Sequence, residues 1–154
     1  MIHTLTLYRN EIKFDIENKA FKYADTLDMS EKDRSRFDLR KNDTDWIDRC
    51  VDDAIGNIND MLGQFAVDVE VADNDVETER SWTLEYSTGK GWLANESVIR
   101  TLVHDYIAKY CLADWFNVFN LNLSATFGSQ ADTILRRIHG KINAYDIDTP
   151  RFNL

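Results

Sequence analysis

Residues 95–119 read NESVIRTLVHDYIAKYCLADWFNVF, and this stretch decides the fold. Its apolar residues recur every three or four positions, a spacing that places them on one face of an α-helix. Asn95 precedes them and is a residue type that caps helix N-termini. Aromatic residues widen the apolar surface toward the end of the stretch, so we expect this helix to be buried on several sides. The core stripe comprises Val98, Ile99, Leu102, Val103, Tyr106, Ile107, Tyr110 and Ala113.

Three other segments share the helical spacing. The first begins at Asn10, and the second follows a cap at Asp43 or Thr44 and stops at Gly63. The third is the last helix, and residues 121–123 are interpreted as the connection that leads the chain out of the central helix. The three stripes are Ile12, Ile16, Ala20, Ala24 and Leu27; then Ile47, Cys50, Val51, Ala54, Ile58, Met61 and Leu62; and finally Ala131, Ile134, Leu135, Ile138 and Ile142.

Residues 31–49 are densely charged. Twelve of these nineteen residues are charged, six of each sign. We interpret them as a solvated helix and loop whose mutual ion pairs contribute little, and the alternative is a polar contact surface for a neighbouring subunit. Asp45 and Asp48 are expected to favour the positive N-terminal end of the second helix.

Period-two alternation replaces the helical spacing after Gly63. Valines at 67, 69 and 71 alternate with acidic residues, and Trp82, Leu84 and Tyr86 alternate with polar ones, which predicts a β-hairpin over residues 66–87 with one apolar face. Leu5 and Leu7 alternate in the same way, as a short strand or an extended arm. The predicted fold is a single mostly α domain over residues 1–154. It is a bundle of three to four long helices with an inserted β-hairpin, extended termini and a C-terminal arm at 146–154.

Composition limits the classes of function. The chain has 154 residues with 44% hydrophobic content, enough for one domain with a core, and Pro150 is its one proline. No apolar stretch approaches the roughly 20 residues that a membrane span needs, and the N-terminus does not resemble a signal peptide. A net charge of −9 argues against a broad basic face for nucleic acid, but it is compatible with a surface past which DNA slides, because repulsion prevents the DNA from sticking. Cys50 and Cys111 favour a reducing compartment.

No residue pattern predicts catalysis or a bound cofactor or metal. Gly89 and Lys90 match only part of a phosphate-binding loop and indicate a tight turn. The acidic loop at residues 73–79 departs from a calcium loop at two fixed positions, so we interpret it as a solvated turn. His104 and Cys111 lie about 10 Å apart along one helix, too far for a base to activate a nucleophile directly.

Trp115, Phe116 and Phe119 form the most informative aromatic cluster. Aromatic side chains dominate protein cores, so packing within the domain is one interpretation. The other is a subunit interface, where Trp, Tyr and Phe are enriched. A small domain with this much apolar helix surface does not necessarily bury all of it alone.

The helix order resembles that of head–tail connector (adaptor) proteins of tailed bacteriophages. The matching stretches are DWIDRCVDDAI at 45–55, residues 98–119, and ADTILRRIHGK at 131–141, with IRTLVHDYIA at 99–108 the most similar part. The resemblance implies a ring of identical subunits at the portal vertex of the virion, assembled in the bacterial cytoplasm. It also implies contacts with portal and tail or neck proteins, and DNA that passes through the ring without sequence-specific binding.

The same resemblance makes the C-terminal arm a candidate docking segment, acting by strand addition or by insertion into a pocket. Its candidate contact residues are Asp146, Asp148, Pro150, Arg151, Phe152 and Leu154. Such a role needs no active site. The alternative function is a monomeric acidic inhibitor or immunity-type protein that binds a basic partner protein.

Overall fold

Four α-helices and three β-strands make up the part of the chain that the computed structural model describes, residues 1–26, 44–73, 80–89, 91–117 and 120–143. A 3-10 turn at Gly63–Phe65 joins the second helix to the second strand. In chain order the elements are β1 (Ile2–Tyr8), α1 (Arg9–Thr26), α2 (Thr44–Leu62), β2 (Ala66–Asp73), β3 (Arg80–Ser87), α3 (Glu96–Phe116) and α4 (Leu121–Ile142).

Helix α3 is the centre of the domain, and it contacts the other three helices as well as β1. The side chain of Asn95 caps it as predicted, accepting a hydrogen bond from the Val98 amide at 2.9 Å. Buried side chains lie on several of its sides, which confirms the expectation of a helix enclosed by neighbours. They are Ile99, Leu102, Val103, Tyr106, Ile107, Ala108, Cys111, Leu112 and Phe116.

Helix α4 begins earlier than the sequence pattern indicates. Residues 121–123 form its first turn, so their interpretation as a connecting segment is wrong. The Asn120 side chain caps this turn by accepting a hydrogen bond from the Leu123 amide at 3.1 Å. Leu123 and Phe127 are buried four positions apart, but the small and polar residues between them interrupt the apolar pattern.

The strands form one antiparallel sheet in the order β1-β3-β2. The β2–β3 pair is the predicted hairpin. On its other side β3 pairs with β1, with Leu5 opposite Leu84 and Leu7 opposite Trp82. The N-terminal segment is therefore a strand of the sheet and not an extended arm, because pairing with β3 satisfies its backbone and buries its leucines. The C-terminal arm lies outside the described residues.

One face of the sheet packs against the helices, and the three strands share it unequally. Trp82, Leu84 and Tyr86 on central β3 are buried, as predicted. On edge strand β2, by contrast, Val67 and Val71 remain 45% and 46% exposed. The register shifts between Ala66 and Asp68, so Val67 sits in an irregularity at the end of the strand. The predicted apolar face is thus complete on β3 and incomplete on β2.

Two helical glycines offer sites for stabilisation. A methyl group added at Gly56 in α2 or Gly140 in α4 meets no atom within 4 Å. We expect Gly56→Ala and Gly140→Ala each to raise the free energy of unfolding by about 0.5–1 kcal/mol, since alanine loses less backbone entropy in a helix. Urea unfolding measures this. Gly63→Ala is the control and should lower the free energy of unfolding. Gly63 follows the last residue of α2 with a φ of 53°, a left-handed conformation that is unfavourable for alanine. Equal effects at all three sites would contradict this reasoning.

Candidate interaction surfaces

A buried ion pair joins the start of α1 to α2. The guanidinium of Arg9 donates two hydrogen bonds to the Asp48 carboxylate, at 2.7 and 2.6 Å. The two side chains are 9% and 11% exposed. Asp48 therefore does more than complement the positive end of α2, because it neutralises a buried arginine from another helix. This bidentate pair fixes the position of α1 relative to α2.

Arg80 extends this network to the sheet. Its Nη1 lies 3.5 Å from Asp48, its Nη2 lies 3.4 Å from Asp52, and its guanidinium covers the ring of Trp82. The indole nitrogen of Trp82 donates to Asp52 at 2.7 Å. These contacts tie β3 to α2, so we assign the cluster a structural role.

A second cluster holds the N-terminus against the sheet. His3 is buried and contacts Glu96 at 2.7 Å through Nδ1 and the Thr88 hydroxyl at 2.6 Å through Nε2. Its ring stacks on Tyr86, with centroids 5.0 Å apart. Burial, followed by the nearby Glu96 carboxylate, raises the pKa of Tyr86 to about 12. The Tyr86 phenol therefore stays neutral in this packed cluster.

His104 and Cys111 both lie on α3, and their side chains contact different helices. His104 faces α1, where its Nδ1 lies 3.0 Å from Asp15 and its Nε2 lies 3.5 Å from Glu11. The pKa of the Cys111 thiol is raised well above its usual range, first by a hydrogen bond with Cys50 and then by burial. A protonated, inaccessible thiol is a poor nucleophile. Across the described residues, no three His, Cys, Asp or Glu side chains group in a way that could hold a metal ion.

The aromatic cluster divides between the core and the surface. Phe116 is fully buried and stacks on Phe127 of α4, with centroids 5.6 Å apart, so the structure places it in the domain's own core. Trp115 is partly buried and packs against Trp46 of α2, with centroids 4.9 Å apart. Phe119 and the six candidate residues of the C-terminal arm, 146, 148, 150–152 and 154, lie outside the described part of the chain.

A groove of about 530 Å³ lies between α2, α3 and α4. Asp114 connects it to the tryptophan pair, because its Oδ2 accepts a hydrogen bond from the indole nitrogen of Trp46 at 2.6 Å. The described lining includes three aspartates and no Lys or Arg. Its residues are Asn57, Asp60, Tyr106, Tyr110, Ala113, Asp114, Asn117, Gly128, Ala131, Asp132 and Leu135.

The sequence did not identify this groove as a site. Asp60 and Asp132 belong to polar helix faces when each helix is considered alone, and they meet only because three helices converge. The available signal was the small pair Gly128 and Ala131, whose spacing leaves room beside Ala113 on α3. That signal predicts close helix approach but not a ligand.

No family model, curated protein or solved structure matches this chain. Among the described helices, none is both long and apolar enough to cross a membrane.

Proposed function

We propose that this chain is a structural assembly protein, a subunit of a head–tail connector ring at the portal vertex of a tailed bacteriophage. The observation that carries the proposal is the partly buried pair Trp46 and Trp115, which lies beside the α2–α3–α4 groove. Tryptophan next to a concave, mixed polar and apolar surface is typical of protein–protein contact sites.

The remaining support comes from the sequence and the sheet. The helix order and the apolar central helix resemble connector proteins, and a net charge of −9 suits a ring through which DNA slides without binding. Strands β1 and β2 each have one edge without a partner strand in the described sheet. Such an edge can pair with an added strand from a neighbour.

The mass in solution tests the proposal. We expect an oligomer in place of a 17.9 kDa monomer, with an average mass that increases with protein concentration. Light scattering or native mass spectrometry measures this mass. Trp115→Ala should shift the equilibrium toward monomer, because truncating a central interface tryptophan typically costs 2 kcal/mol or more, about 30-fold in affinity. Phe14→Ala, at an aromatic residue 62% exposed on α1, is the control and should leave the mass unchanged.

The second candidate function is a monomeric acidic inhibitor or immunity-type protein that binds a basic partner. The three groove aspartates favour it, because they offer complementary charge to a basic surface. A strict monomer at all concentrations that forms a tight one-to-one complex with a basic protein would support this function and contradict the ring.

Deletion of residues 146–154 tests the proposed arm. Ile142 is the last buried core residue in the described chain, so we expect the truncated protein to unfold cooperatively at the parental temperature. Its oligomer should be weaker, because the deletion removes the candidate docking residues. Thermal unfolding and native mass measure the two effects. Loss of cooperative unfolding would show that the segment belongs to the core and refute its assignment as an arm.

A further inference from the structure

Strand β1 has a free edge without the usual protection against pairing. No other strand of the described sheet bonds to the side of β1 that faces away from β3. The seven residues of β1, Ile2–Tyr8, pair with β3 without a register shift and include no Lys, Arg, Asp, Glu or Pro. Charged residues, prolines and bulges are the features that block pairing at sheet edges. The edge of β1 can therefore accept an added strand.

The opposite edge of the sheet, on β2, is protected. Its register shifts between Ala66 and Asp68, and the carboxylates of Asp68, Glu70 and Asp73 are exposed. An acidic strand added to β2 would place like charges directly across the ladder, which is destabilising. Of the two edges, β1 is therefore the one that suits a strand carrying negative charge.

The C-terminal end of the chain contains such a strand. Residues 144–149 read AYDIDT, in which two apolar residues alternate with two aspartates, a period-two pattern typical of a β-strand. Pro150 follows and has no amide to donate to a ladder, so it ends the segment that can pair. We call residues 144–149 the arm strand.

The chain leaves α4 beside the start of β1. The indole nitrogen of Trp92 donates a hydrogen bond to the Lys141 carbonyl at 2.8 Å, and the Trp92 ring lies 4.7 Å from the ring of His3. From this position the arm strand could add to its own β1 directly only in the parallel direction. Both strand pairs of the described sheet are antiparallel, and antiparallel pairing is slightly more stable per residue.

Antiparallel pairing within one copy fails on length. The chain would first have to pass along the whole of β1, about 23 Å, which uses about seven residues at 3.3 Å each. The residues left over would begin beyond Pro150, so the arm strand would already have been used as a connection. The arm strand of a second copy has no such restriction, because its starting point is not fixed at the same end of β1.

We propose that the arm strand of one copy pairs antiparallel with the free edge of β1 in the next copy. Its two apolar residues then extend the sheet face that Leu5 and Leu7 form. Its aspartates lie on the opposite face, where the exposed Thr4 hydroxyl can donate a hydrogen bond. This inference rests on the proposed function, since it names the surface that receives the C-terminal arm in the ring.

Cross-linking between copies tests the pairing. Full-length Thr4→Cys and Asp148→Cys chains are co-expressed and treated with a short bismaleimide. The native Cys50 and Cys111 are buried, and the parental chain measures their background. We expect a covalent dimer at least about fivefold above the yield from either variant alone, since the two thiols lie on one face of adjacent strands. Glu70→Cys on β2, used in place of Thr4→Cys, is the control and should give only background.

A proline in the arm strand tests the backbone pairing. Ile147→Pro removes an amide from the ladder and should weaken association about tenfold, measured from mass against concentration. Asn153→Pro, beyond Pro150, is the control and should leave the mass unchanged. A cross-link within one chain of the Thr4→Cys/Asp148→Cys double variant, with none between copies, would overturn the proposal. If the chain forms a ring but neither the cross-link nor the Ile147→Pro effect arises, this inference fails while the proposed function stands. A strict monomer contradicts both.

Discussion

Arg9→Met is expected to lower the free energy of unfolding by about 3 kcal/mol, because removing one partner of a buried ion pair leaves the other charge buried and unpaired. Among the described residues, the Asp48 carboxylate would keep only Arg80, whose Nη1 lies 3.5 Å away, in place of two hydrogen bonds from Arg9. That remaining contact places the loss at the lower end of the range for such pairs. Urea unfolding followed by circular dichroism measures it.

Two further variants separate the ion pair from general effects of losing an arginine. Arg49→Met removes an exposed arginine from the same helix as Asp48 and should change stability by less than about 0.5 kcal/mol. Arg9→Met/Asp48→Leu removes both charges and should recover to within about 1 kcal/mol of the parent, since apolar replacements of a buried pair avoid its desolvation. If Arg9→Met and Arg49→Met have equal effects, the buried pair does not hold α1 in place.

The sequence pattern could not reveal this pair, for a physical reason. Arg9 and Asp48 lie 39 positions apart and come together only in the tertiary fold. Charged residues at element boundaries are usually solvated, so the pattern favours exposure for both. Periodicity identifies which face of a helix is apolar, but it does not identify which charge crosses to a neighbouring helix.

Local regularity explains what the sequence did predict. Helix α3 follows from a continuous apolar stripe and an Asn95 cap, and the hairpin follows from strict alternation on β3. Each of these two patterns can be recognised within one short segment of the sequence, without knowledge of the tertiary fold. The pairing of β1 with β3 was not predictable in this way, because alternation marks a strand but does not select its partner.

The groove illustrates the same limit at the level of function. Its lining is divided among three helices, and each contributes residues that are unremarkable on their own helix. Tyr106 belongs to the predicted core stripe and is buried as expected, but only the assembled structure shows that its hydroxyl accepts a hydrogen bond from the Asn57 amide of α2. Contacts of this kind become visible only when elements that are distant in sequence converge.

Phe127→Ala is expected to have the other large effect, a loss of about 3–5 kcal/mol in the free energy of unfolding. Phe127 of α4 is fully buried against α3, where its ring stacks on Phe116 with ring planes 15° apart. The Lys109 ammonium also lies 5.5 Å from the centre of its ring. Truncation removes these contacts and leaves a cavity in the core. Phe127→Leu, which keeps most of the volume, should cost about 1.5 kcal/mol or less and keeps the measurement accessible if the alanine variant is too unstable.

The neighbouring residues Trp115 and Phe116 on α3 are expected to respond differently to truncation. The comparison tests whether each side chain belongs to the core or to an assembly surface. Phe116→Ala should be as damaging as Phe127→Ala, and the double variant should cost less than the sum by about 0.5–1.5 kcal/mol, the coupling of an aromatic pair. Trp115→Ala should lower monomer stability less than Phe116→Ala does, because the Trp115 ring packs beside Trp46 at the edge of the groove. It should lower the oligomer mass more than Phe116→Ala does. Phe14→Ala, at a side chain that is 62% exposed on α1, should change neither monomer stability nor oligomer mass. If Trp115→Ala destabilises the monomer as strongly as Phe116→Ala, both residues belong to the core and the tryptophan pair provides no assembly surface.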